Sequence, residues 1–352
     1  MHMADALISP AVGGTMWIAT AGVAAYSIKK IQGDMDDKKI PLMGVMAAFV
    51  FAAQMINFTI PGTGSSGHIG GGLLLAILLG PYAGFLAMAS ILSIQALFFA
   101  DGGLLALGCN IFNLGFFTCF IAYPLIYKPL IAKGYTSRRI FGASMIAAVI
   151  GLQLGSFGVV LETLISGKTE LPFSTFVLMM QPIHLAIGIV EGVIIAAVVS
   201  FIWKERPEIL EKAALGEALG SFSIKKVLTV LALLAVFTGG VLSWFASDNP
   251  DGLEWSMLKT AGVEELEAPN GIHQTFSQIQ SRFAFLPDYS FKISKVETSA
   301  GTEESEGGAG QPAVSGGTSI AGIVGGGLTL AFVVFIGFVI NLIKKRKQAL
   351  TN

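Results

Sequence analysis

Charge is what this chain has least of. Asp, Glu, Lys and Arg make up 13% of its 352 residues, against roughly 25% in soluble domains, which excludes an ordinary water-soluble fold. The 22 basic and 23 acidic residues leave a formal net charge of −1, so nothing invites nucleic acid. Thiols are scarce too. The two cysteines, Cys109 and Cys119, share one apolar stretch without CxxC spacing and read as small core residues, not as a disulfide or ligand pair. Catalytic signatures are missing: there is no HExxH, no clustered carboxylates and no nucleophile beside a base. Gly167-Lys168-Thr169 ends like a phosphate-binding loop, but the position of its required earlier glycine is Glu162, so no ATPase is expected in this chain. The opening Met-His-Met-Ala-Asp-Ala has no basic n-region, and no cleavage site follows the first apolar stretch. The N-terminus is therefore expected to survive intact. No fixed-period repeat is visible.

What is there is apolar. Hydrophobic residues make up 53% of the chain and glycines number 43, with a mean hydropathy of +0.71, as suits close helix packing in lipid. Apolar stretches of about the length needed to cross a bilayer predict nine helices, near 11–28, 41–59, 69–80, 82–100, 104–127, 139–165, 173–203, 227–246 and 319–343. The third is short and runs into Gly80-Pro81, as in a half-helix or re-entrant element, which is tolerated only inside protein. The fold class expected is an all-α polytopic membrane protein of the cell membrane. It comprises a seven-helix module over 1–203, a charged cytoplasmic linker over 204–226, and a block over 227–352 with two further transmembrane helices and an outer loop at about 247–318. That outer segment is acidic, and its run Thr302 to Gly308 reads as a disordered tether.

Basic residues set the orientation. Lys29, Lys30, Lys38 and Lys39 follow helix one, while Lys128, Lys133, Arg138 and Arg139 follow helix five. Lys204 to Lys226 follow helix seven, and Lys344 to Lys347 close the chain. With alternating helices all four groups share one side, the cytoplasmic one. Met1, His2 and His68 then share the outer side.

Histidine is also rare, with four in the chain, and one stands at position two. There the Met1 amine, the His2 amide and the His2 ring Nδ1 can close a five- and a six-membered chelate ring. One in-plane position remains, and His68, in the Gly/Ser-rich loop 61–68, can fill it. A tetragonal nitrogen set suits Ni(II) or Cu(II), whereas structural zinc prefers tetrahedral, usually sulfur-containing sets. Affinity is expected to collapse as pH falls through an ordinary histidine pKa of about 6.5.

Longer stretches carry a resemblance. Met1 to Leu7, Gly67-His68-Ile69-Gly70-Gly71-Gly72-Leu73 and Leu78 to Gly84 resemble the membrane substrate-capture subunit of nickel/cobalt energy-coupling-factor transporters. Gln95 to Gly103, Gly108 to Asn113 and His184 to Gly192 do so as well. The resemblance implies an N-terminus that plugs inward, with metal held by Met1, His2 and the histidine corresponding to His68. It also implies Ni(II) or Co(II) as transported substrate, no cofactor, and a separate membrane coupling subunit with two ATP-binding cassette ATPase subunits as partners. Asn249 to Glu254 and Leu286 to Phe291 resemble the small two-helix accessory subunit of the same transporters, which aids metal loading without being the binding site. Ala4 and Ala6 stand where the family often has Pro and Gly, so the shape of the arm could differ.

His184 and Glu191 lie seven apart, two turns along one helix face. They invite a second reading, an ion relay in a self-sufficient secondary metal transporter, beside the simpler one of a paired polar anchor. Glu162 is expected at the interface, and Gln54, Asn57, Gln95, Asn110 and Asn113 could orient loop and ligands. Ala21/Ala25 and Ala48/Ala52 offer small-residue faces to a partner helix.

Overall fold

The computed structural model describes residues 2–32, 35–268, 271–291 and 316–351, of which 347–351 are described as backbone only. Met1 and the acidic run 302–308 lie outside the described residues.

The described residues are mostly helical, as the long apolar runs require. Helix α1 (Pro10–Ile31) starts on Ser9, whose side chain accepts from the Val12 amide, with Pro10 in the first turn. Then come α2 (Lys39–Gln54) and a hairpin of β1 (Phe58–Ile60) and β2 (Ser65–Gly67), antiparallel with Thr59 opposite Ser66. Helix α3 (Gly72–Leu79) is short and wholly buried, and it passes through Gly80 into α4 (Pro81–Phe99). The span Leu107–Ile131, α5, is wound as a π-helix over Phe112–Tyr127, where Pro124 lies. Helices α6 (Ser137–Ile165) and α7 (Phe173–Glu205) are long and pack along one another.

Among the described residues six helices are long and apolar enough to cross a membrane: α1, α4, α5, α6, α7 and the last one, α12 (Gly316–Thr351) over Gly316–Arg346. Helix α2 is apolar but shorter. The eight residues of α3 span only about 12 Å at the α-helical rise. They sit inside the bundle, the one place a short segment survives at membrane depth. The expected linker is more than a tether: it holds α8 (Pro207–Leu215), which buries Ile209, Leu210 and Ala213. Helix α9 (Lys225–Gly240) then pairs with α12. The outer segment likewise contains α10 (Gly252–Ala261) and α11 (Ile272–Phe283).

Small residues set the closest crossings. A Cβ on Gly239 would meet the Gly322 backbone at 3.1 Å, and one on Gly44 would meet Val334 at 2.6 Å, so α12 lies nearly backbone to backbone on α9 and α2. The small face of α2 is thus used inside the chain, where Ala48 faces Gly326, while Ala21 and Ala25 of α1 are exposed. Cys109 and Cys119 are buried and unpaired. The basic groups gather at one end: Lys38 Nζ donates to Phe222 O at 2.6 Å, Lys128 Nζ to Ala214 O at 2.9 Å, and Lys344 Nζ to Met35 O at 2.8 Å. These atoms come from the segment after α1, the end of α5, the segment between α7 and α9, and the end of α12.

Candidate metal-capture site

Residues 3–8 fold into the protein as an arm, and all but Ala4 are buried. Asn110, on α5, clamps it. Its Oδ1 accepts from the Met3 amide at 2.8 Å and its Nδ2 donates to the Met3 carbonyl at 3.2 Å. The Gly103 amide adds a bond to that carbonyl at 2.9 Å. Further along, Asp5 Oδ1 accepts from the Ala106 amide at 3.0 Å. Gly103 permits this approach, since a Cβ there would come within 2.4 Å of the Asp5 amide nitrogen. Met3, Leu7 and Ile8 pack with Leu105, Cys109, Val159 and Phe176. Apolar burial holds the arm in, and the Asn110 clamp fixes its register.

That register sets His2 on His68. The two rings stack, with centroids 5.0 Å apart and planes 16° from parallel. His2 Nδ1 lies 3.2 Å from Asp101 Oδ1, its Nε2 has no hydrogen-bond partner among the described residues, and its side chain is 7% exposed. Tyr289, from the outer segment, donates its hydroxyl to Asp101 Oδ2 at 2.5 Å. His68 Nδ1 donates to the Ile69 carbonyl at 3.0 Å, which leaves the lone pair of the neutral ring on Nε2. Burial lowers His2 to about 3 and His68 to about 4 from an ordinary 6.5, so both rings stay neutral, the form that ligates. Burial raises Asp101, against the lowering effect of the Tyr289 hydrogen bond.

The loop that carries His68 is anchored from below. Glu191 on α7 accepts from the Gly70 amide at 2.7 Å and the Gly71 amide at 3.0 Å. Gln54 Nε2 donates to Gly70 O at 2.7 Å, and Gln95 Nε2 donates to Gln54 Oε1 at 2.9 Å. Gly71 turns the chain at φ +79°, where a Cβ would collide with Val50 at 2.4 Å. The expected pairing of His184 with Glu191 is not what the structure shows. Each has its own backbone partner, His184 Nδ1 donating to Met180 O at 2.7 Å and Glu191 serving the loop amides. Glu162, near the end of α6, is buried and accepts from Asn113 Nδ2 at 2.7 Å.

Sequence reasoning left Asp101, Asp251, His273 and Tyr289 without roles. Asp251 caps α10, accepting from the Leu253 and Glu254 amides at 2.7 and 2.9 Å, while Glu254 returns a bond to the Asp251 amide. That capping box is legible in Pro250-Asp251-Gly252-Leu253-Glu254. The hairpin receives this motif: the Ser66 amide donates to Pro250 O at 2.8 Å and Trp255 Nε1 to Thr63 O at 3.0 Å. His273 Nε2 donates to the Ile8 carbonyl of the arm at 2.9 Å. The outer segment and the arm together wall an open cavity of ≈ 340 Å³ with acidic lining from Asp5, Asp101, Glu254 and Asp288, and His2 in its wall. Among the described residues no three His, Cys, Asp or Glu side chains converge as a metal cage.

A polytopic helical membrane protein that folds its own N-terminal arm inward beside a loop histidine is a narrow class. The chain belongs to the family described as the cobalt uptake substrate-specific transmembrane region, whose model matches residues 2–209. The PDGLE domain model matches residues 225–342. A putative fused nickel transport protein of Archaeoglobus fulgidus is 37% identical over 67% of this chain and 76% of its own length. The fused nickel transport protein of Rhodobacter capsulatus is 29% identical over 82% of this chain and 88% of its own. A cobalt transport protein of Geobacter sulfurreducens is 28% identical over 77% and 79%. A crystal structure of a transition metal transporter covers 58% of this chain and 93% of its own, at 31% identity and TM-score 0.52. A truncated form aligns over 58% and 99%, at 30% identity with the same TM-score.

Proposed function

We propose that this chain captures Ni(II) or Co(II) from outside the cell and serves as the substrate-specific membrane component of an ATP-driven energy-coupling-factor transporter. The observation that carries this reading is the stacked His2–His68 pair under an arm locked by Asn110. The Met1 amine, the His2 amide and ring, and His68 would supply the four nitrogens. Asp101 Oδ1 lies 3.2 Å from His2 Nδ1, so its carboxylate would stand beside a bound cation and offset its charge. Tetragonal nitrogen ligation inclines the choice toward nickel, and the names of the fused relatives agree.

The division into a capture module over 1–203, a cytoplasmic linker and an accessory module is part of the proposal. So is an N-terminus on the outer side, supported by the gathering of lysines at the opposite end. Two ATPases and a coupling subunit would supply the energy, since no nucleotide site is written into this sequence. The ion-coupled alternative loses its motif, because Glu191 is occupied by two loop amides and is not paired with His184. The test is uptake of radioactive nickel into proteoliposomes. Uptake is expected with the partner subunits and ATP, and none with the chain alone under an imposed proton or sodium gradient. Gradient-driven uptake by the chain alone overturns the reading.

A further inference from the structure

We propose that His68 and His184 form a second, weaker cation position that holds the ion while the N-terminal arm is undocked, an inference that rests on the capture reading above. His184 is 1% exposed, gives its Nδ1–H to the Met180 carbonyl, and among the described residues has no hydrogen-bond partner for Nε2. A buried imidazole nitrogen left bare is costly. His68 is prepared in the same way, with Nδ1 on the Ile69 carbonyl. Imidazoles that ligate metals commonly give their other ring N–H to a backbone carbonyl in just this manner.

Both rings line one small cavity of ≈ 10 Å³, walled also by Gly70, Leu114, Ile187 and Gly252. That is room for about one water or one small ion. Gly252 of the outer segment keeps it open: a Cβ there would approach His184 Cε1 to 3.3 Å and Ile183 Cγ2 to 2.7 Å. The Asp251 carboxylate, whose Oδ1 accepts two α10 amides, is in the same wall and favours a cation there. His68 is therefore shared, with the His2 ring on it and this cavity beside it. Two imidazoles and water make a weak position beside a four-nitrogen one, and weakness is what a handover requires, since an ion must leave as readily as it arrives.

The experiment uses the full purified chain with His2→Ala, which removes the arm's ring. Ni(II) is followed by calorimetry, and Cu(II) by pulsed electron paramagnetic resonance, which counts coordinated imidazoles. One weak site with a two-imidazole signature is expected. Adding His184→Ala, or in a separate chain Gly252→Leu to fill the cavity, should reduce the signature to one imidazole and weaken binding by about tenfold or more. With the arm intact, His184→Ala and His184→Gln should leave equilibrium nickel affinity within about twofold while slowing loading by about tenfold. Thermal melting of each variant separates these outcomes from misfolding. An unchanged imidazole count in the double variant, or an unchanged loading rate with the arm intact, overturns the proposal. Failure of the capture reading shows itself elsewhere, as absence of tight binding in the unaltered chain.

Discussion

The imidazole of His2 lies flat against that of His68, ring centroids 5.0 Å apart, although 66 positions separate them (68 − 2). Two independent anchors produce the contact: Asn110 holds the arm by Met3, and Glu191 holds the loop by Gly70 and Gly71. Among the described residues neither anchor hydrogen-bonds His2 or His68 itself, yet each fixes where a ring stands.

Asn110 should therefore govern affinity without being a ligand. Asn110→Ala removes both bonds to Met3 and should weaken nickel binding by roughly tenfold to a hundredfold, the usual effect of losing a ligand's support, with the absorption band of the bound ion unchanged. Asn110→Asp keeps an acceptor for the Met3 amide but puts a second acceptor against the Met3 carbonyl, and should bind as weakly. Calorimetry with optical titration reads both quantities. Full affinity in the Ala variant would show that packing of Leu7 and Ile8 alone positions the arm.

Glu191→Gln separates the two transport readings. Gln can accept from one loop amide but presents an NH₂ to the other, so stability should fall by about 1–3 kcal/mol, the cost of an unmet buried polar group, and nickel affinity should fall with it. The measurements are a chemical denaturation midpoint and a binding isotherm. A relay residue would behave oppositely, with affinity kept and gradient coupling lost.

Acidification should release the arm. Docked, His2 and His68 are lowered by burial to about 3 and about 4, while the exposed value is 6.5. Between about 3 and 6.5 the undocked state therefore binds more protons than the docked one. Docking is at full strength above that window and is lost progressively as pH falls through it. Hydrogen exchange of the Met3 amide, corrected for intrinsic rate, should show protection constant above neutrality and declining on acidification. Protection that rises at low pH would contradict the assignment.

Much of this was legible in the sequence, and the reason is physical. Long apolar runs have no alternative to helices in lipid, so α1, α4, α6, α7 and α12 follow directly, and Gly80-Pro81 marked the short α3. His2 and His68, which the structure stacks, can be picked out because chelation is local chemistry at a chain end; Met1 lies outside the described residues. What stayed hidden is non-local. The sequence offered Glu191 a helical neighbour in His184, whereas its partners are backbone amides 120 and 121 residues away, which no side-chain pattern can announce. Asn110 was only one of five polar residues with an orienting role. The helices α10 and α11 were missed because the outer segment is polar and short-periodic, although Asp251 and Glu254 spelled a capping box.

The outer segment should stabilise the docked arm. His273→Ala removes the hydrogen bond to the Ile8 carbonyl, worth about 1 kcal/mol, and should raise exchange of the arm amides by roughly fivefold. Equilibrium metal geometry should not change. An arm equally protected in the variant would limit the contact to packing of the accessory module.

The most direct measurement is a Ni(II) binding isotherm of the purified chain beside two others, one with the Met1 amine acetylated and one with His2→Ala. Tight one-to-one binding with a square-planar absorption band, lost by at least about a hundredfold in both altered chains, is the expected result, since one blocks the terminal amine that opens the chelate and the other removes its imidazole. Tight binding that survives acetylation would contradict it, because the acetylated chain has no terminal amine to offer the ion.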